Sequence, residues 1–123
     1  FDTEQAINFE NSLMERLIDL LRQCSGIVCY NDQMAIKILD VSRKMSLNIP
    51  GDVSIVSFDD SQLAVASEVK LTTVAHPQER LGQLAATALI DMIEGRQKRF
   101  NIKMQPELVI RGSVKKISEG EAM

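Results

Sequence analysis

Two short apolar runs end in groups that can hold a polar ligand. Val53-Ser54-Ile55-Val56-Ser57-Phe58 gives way at once to Asp59 and Asp60, and Gly26-Ile27-Val28-Cys29-Tyr30 gives way to Asn31 and Asp32. The adjacent carboxylates support three chemistries. As a turn or capping pair they accept backbone N–H bonds, with Ser61 starting a helix. In a sugar site, one carboxylate accepts from two hydroxyls through the stronger, charge-assisted kind of bond. Asn31 complements it there, since an amide both donates and accepts. In a phosphoryl site, strand-end carboxylates hold Mg²⁺. That chemistry also calls for a cation and a hydroxyl on neighbouring strand ends, for which Lys70 and Thr72 are available. Adjacent side chains on a strand end diverge, so spacing alone ranks the turn pair first, sugar second and metal third. Asn31 is also a favoured helix N-cap, a role worth roughly 1 kcal/mol. It is free for a ligand as well if Asp32 takes the cap. His76, the single histidine, falls between a strand and a helix start. It is either an exposed linker residue, which spacing favours, or a neutral imidazole bonded to a ligand hydroxyl.

These groups need strands to carry them. An apolar run bounded by turn signals reads as a strand of a parallel sheet, buried on both faces, and open α/β sheets bind ligands at the carboxyl ends of such strands. Helices are expected at 3–23, with Phe9, Leu13, Leu17, Leu20 and Leu21 on the apolar face, at 32–45, and from Pro77 to about Glu94, ended by Gly95. The helix at 32–45 is apolar over much of its circumference, so it should be covered on two sides. Strands are expected at 27–30, 53–58 and 69–74, and one or two more within 102–114. A short helix fits 61–67, and 118–123 reads as a disordered tail beyond a domain over 1–117.

Composition bounds the class. The chain has 123 residues, is 45% hydrophobic and 25% charged, and carries a net charge of −3, which suits a globular domain and argues against a nucleic-acid-binding surface. No apolar run approaches the roughly 18 residues of a membrane span, and no signal peptide opens the chain. Cys24 and Cys29 are spaced unlike a zinc site and read as free thiols of a reducing compartment. Aromatic residues are few, which leaves little to stack on a sugar.

Four blocks carry a resemblance: GIVCYNDQMA, IPGDVSIVSFDDS, VKLTTVAHPQERLGQLAATALIDMI and PELVIRGS. Their order and spacing over about residues 20–114 resemble the effector-binding domain of LacI/GalR-type repressors, and their wording looks most like the arabinose-responsive members. The resemblance implies an α/β fold: a partial Rossmann-like lobe of a periplasmic-binding-protein-like domain, its mostly parallel sheet flanked by helices. It implies a cytoplasmic repressor, not an enzyme, that uses no cofactor or metal. The effector is a small-molecule sugar, L-arabinose, held by Asn31, Asp59 and His76, which reverses the ranking from spacing. It further implies a homodimer, with 32–45 and 61–68 as the candidate contact. DNA would be bound only through a winged-helix domain ahead of this chain. The chain then reads as the C-terminal portion of a longer regulator. The helix at 77–94 packs on the other lobe in that family, so its face at Leu81, Ala85, Leu89 and Met92 is expected to be buried by another chain or a rearranged part of this one. Ser57 stands where the family usually has Gly, which implies an altered strand end. The alternatives are a metal-dependent phosphoryl enzyme using Asp59 and Asp60, and a periplasmic sugar carrier.

Overall fold

The computed structural model describes residues 3–118 and 120, with side chains from residue 11 onward. The elements follow as α1 (Thr3–Gln23), β1 (Gly26–Val28), α2 (Asp32–Lys44), β2 (Ser54–Phe58), α3 (Gln62–Ala66), β3 (Thr72–Ala75), α4 (Gln78–Ile93) and β4 (Glu107–Val109). The four strands form one sheet in the order β1-β2-β3-β4. The first two pairings are parallel and the last is antiparallel, so the mostly parallel α/β lobe expected from sequence is what forms. Much of the expected tail at 118–123 lies outside the described residues.

One face of the sheet makes the core. Along β2, Ile55 and Ser57 are buried while Ser54, Val56 and Phe58 are only half-buried. Ile55 packs with Val53, Leu71 and Ala64, beneath Ala35, Ile38 and Val41 of α2 and Leu21 of α1. The strand is therefore not buried on both faces as its apolar run predicts. Of α4, only Ala88 is buried.

Helix α2 starts at Asn31, whose side-chain oxygen accepts from the Met34 N–H at 2.8 Å. Its buried stripe is Ala35, Ile38, Val41 and Ser42. On its second side Ile36 and Leu39 line a groove with Leu47, Ile49 and Val69, so the wide apolar arc is covered by the sheet on one side and open on the other. In α1 the inward stripe is Leu17, Ile18 and Leu21. Leu13 and Leu20, expected on that face, are exposed, and the side chain of Phe9, expected there too, lies outside the described residues. In α4, Leu81, Ala85, Leu89 and Met92 are all exposed. Among the described residues, no part of the chain folds back to cover them. Gly95, at φ 72°, stops α4 where expected, because a left-handed residue suits glycine.

Between α4 and the end of the described chain only Glu107–Val109 is a strand, shorter than the one or two expected within 102–114. The chain after it is fastened by Ser113 instead. The fully buried Ser113 hydroxyl donates to the Ile55 carbonyl at 2.6 Å and accepts from the Thr72 N–H at 2.8 Å, and its carbonyl accepts from the Ile55 N–H. A single side chain thus stitches β2 to β3. Cys24 and Cys29 are both free, and burial pushes the Cys29 thiol up to about 11.

Candidate functional site

Asn31, Asp59 and His76 follow the carboxyl ends of β1, β2 and β3 in turn. Because those strands are parallel neighbours, all three residues come to the same edge of the sheet. They do so in different states. The Asn31 carbonyl oxygen is spent on the α2 cap, so Asp32 does not take the cap, and what Asn31 keeps for a ligand is its amide N–H₂.

Asp32 has a different task. Its side chain is buried, and four bonds converge on its carboxylate. The Ser57 and Thr73 hydroxyls donate to Oδ1 at 2.5 and 3.0 Å, and the Ser61 N–H and hydroxyl donate to Oδ2 at 2.7 and 2.9 Å. Burial pushes its pKa up, but the bonds from Ser57, Ser61 and Thr73 outweigh that and hold the carboxyl below its ordinary value. One carboxylate thereby joins the ends of β1, β2 and β3. The hydroxyl of Ser57, expected to disturb the strand end, is fully buried and takes part in this bonding.

Asp59 and Asp60 lie in the turn that Asp32 anchors. Both have positive φ, 99° and 49°, a conformation that costs roughly 1–3 kcal/mol per non-glycine residue and is held only by its surroundings. The Asp59 N–H donates to the Val74 carbonyl at 3.0 Å, and the Asp60 N–H reaches the Thr73 hydroxyl at 3.3 Å. The side chains then part company. Asp60 Oδ1 pairs with the Arg111 guanidinium at 2.7 Å. The Asp59 carboxylate has no hydrogen-bonding or ionic partner among the described residues. The two carboxylates are thus one structural and one free group, not a matched pair. Lys70, which a phosphoryl site would need, turns away and donates to the carbonyls of Val65 and Ser67 at the end of α3. Thr72 accepts from the Arg111 N–H at 2.8 Å.

His76 is exposed, and its ring stacks on Phe58, with centroids 6.2 Å apart and planes 17° apart. This places an aromatic surface beside the strand ends, where the composition promised little. Arg111, and the role of Asp32 as an anchor of three strands, are what sequence reasoning missed. The only linear signal for them is a surplus of hydroxyl residues at strand ends, Ser57, Thr72 and Thr73, which must find partners once buried.

A mostly parallel sheet with a free carboxylate, an amide and an imidazole at one carboxyl edge is an open α/β lobe, a fold that places ligands at that edge. The chain belongs to the periplasmic binding protein-like domain family, whose model matches residues 2–114. It is 50% identical over 95 residues to the arabinose metabolism transcriptional repressor of Geobacillus stearothermophilus, covering 76% of this chain and 26% of that protein. It is 46% identical over 95 residues to the repressor of the same name from Halalkalibacterium halodurans, covering 72% of this chain and 25% of that protein. Among solved structures, a complex of the transcriptional regulator CelR with cellobiose superposes with a TM-score of 0.76 at 30% identity, over 81% of this chain and 31% of CelR. The chain thus spans about a quarter of the length of these two curated relatives.

Proposed function

We propose that this chain is the C-terminal part of the effector-binding domain of a bacterial transcriptional repressor, and that the effector is a sugar, L-arabinose. The observation that carries this reading is the Asp59 carboxylate, unpartnered on a strained backbone at the ligand edge while its neighbour Asp60 is neutralised by Arg111. A carboxylate kept out of internal bonds can accept from two sugar hydroxyls. The Asn31 amide donates beside it, and His76 adds an imidazole stacked on Phe58. The two repressors named for arabinose metabolism support the choice of sugar; the CelR complex supports a sugar in a lobe of this fold.

In the whole protein a second lobe closes the cleft from the other side. The exposed apolar face of α4 suits that contact. The groove beside α2, lined by Ile36, Leu39, Ile49 and Val69, suits a second copy of the chain, with Ser67 and Glu68 of the 61–68 segment at its margin. Sugar bridging the lobes would favour a closed state and shift the spacing of DNA-binding domains in the dimer, which is allostery by differential affinity for two states. The test is calorimetric titration of L-arabinose into the intact parent protein and its Asp59→Ala variant. A loss of at least tenfold, about 1.4 kcal/mol, is expected. Unchanged affinity would remove Asp59 from the site, and no binding by the intact parent would remove arabinose.

A further inference from the structure

Consecutive left-handed residues other than glycine do not hold themselves in place. The turn at Asp59 and Asp60 is fixed on its far side by the bonds from Ser61 to Asp32. On its near side the Asp59 N–H is held by the Val74 carbonyl at 3.0 Å, while the Asp60 backbone has, among the described residues, only the long bond to the Thr73 hydroxyl. What restrains the Asp60 side chain is Arg111, with Nη2 at 2.7 Å from Oδ1 and both side chains largely shielded, 20% and 27% exposed. Arg111 is itself anchored. Its Nη1 donates to the Leu71 carbonyl at 2.9 Å and its backbone N–H to the Thr72 hydroxyl at 2.8 Å. Two residues on, Ser113 is fastened between β2 and β3. The guanidinium is planar and rigid, so its two branches cannot be aimed independently. It forms a brace from the start of β3 to the turn beyond β2.

We propose that Arg111 is a positioning residue for Asp59, acting through Asp60. Its brace holds the left-handed turn in the one geometry that leaves the Asp59 carboxylate free at the sheet edge. It also neutralises Asp60, so that Asp59 is the uncompensated carboxylate of the pair. The consequence for binding rests on the sugar reading above; the consequence for the turn does not.

The experiment has two arms, both on the intact parent protein. In the first, L-arabinose is titrated into the wild type, Arg111→Met, Asp60→Asn and the double variant. Each single variant is expected to weaken binding about tenfold, and the double variant no more than either single one. Losses that multiply in the double variant, or no loss in Arg111→Met, would overturn the role through Asp60. Arg111→Lys, a point charge that cannot serve both branches, should recover only part of the affinity. In the second arm, amide hydrogen exchange is followed without sugar. The Asp60 amide should exchange at least tenfold faster in Arg111→Met, while the Cys29 amide, bonded to the Val56 carbonyl in the sheet, keeps its rate. Unchanged exchange at Asp60 overturns the proposal whatever the sugar. Absence of arabinose binding by the wild type removes the sugar reading alone, and the exchange arm still decides Arg111.

Discussion

Replacing Asp32 by Ala should destabilise the domain by about 4 kcal/mol or more, the sum of the bonds it breaks. The structure lets that figure be built up. The substitution strands the hydroxyls of Ser57 and Thr73, which are fully buried, at roughly 1–3 kcal/mol for each donor left without an acceptor. Ser61 is exposed, so water replaces its two lost bonds and little more than their net worth, roughly 1 kcal/mol each, disappears. Ser57→Ala is the graded control. It removes one donor and leaves three on the carboxylate, so about 1.5 kcal/mol is expected, the low end for a bond to a charged group. Urea unfolding of the intact parent, followed by circular dichroism, reads both variants. With a slope of about 2 kcal/mol per molar, Asp32→Ala should lower the midpoint by about 2 M or more and Ser57→Ala by less than about 1 M. A shift below about 0.3 M for Asp32→Ala, or equal shifts for the two variants, would refute the assignment of Asp32 as the anchor of the three strand ends. The same carboxylate sets an acid limb. Its folded pKa lies below its unfolded value. Its contribution is therefore complete above the ordinary carboxylate pKa of about 3.9 and is lost as pH falls through the lower folded value. Asp32→Asn should flatten that part of the stability profile relative to wild type.

Other outcomes follow from the same geometry. Asn31→Asp keeps the acceptor that caps α2, with an anion at a helix N-terminus, but loses the amide donor. Thermal unfolding should change by less than about 0.5 kcal/mol, while L-arabinose affinity in the intact parent falls at least tenfold; retained affinity would put the Asn31 amide outside the site. Cys29, buried and with its thiol raised to about 11, should resist alkylation at pH 8 until the protein is unfolded, whereas Cys24, partly exposed, should label in the native state. Mass spectrometry of the peptides checks this, and native labelling of Cys29 before Cys24 would contradict the burial of Cys29 in the core with Ala35, Ile38 and Val41.

What the sequence determined by itself is whatever depends on neighbours along the chain. Apolar runs placed β1 and β2, helical periodicity placed α1, α2 and α4, Asn31-Asp32 marked the cap, and Gly95 marked the stop, because propensity, amphipathicity and capping act within a few residues. The polar groups at the strand ends were legible for the same reason, as was the resemblance that runs through them. Only the tertiary structure decided which of those groups is free. The carboxylate of Asp32 is filled by residues 25, 29 and 41 positions away, and Asp60 is claimed by Arg111 from beyond β4. No local pattern in Asp59-Asp60 separates the two. Their difference arises because the parallel β2–β3 pairing brings Thr73, and the chain leaving antiparallel β4 brings Arg111, to one side of the turn, where Arg111 claims Asp60 and not Asp59. Burial was likewise a tertiary outcome. The faces of α4 and β2 that look like core in the sequence stay exposed or half-buried here, since periodicity states that a face is apolar and only a packed neighbour can cover it.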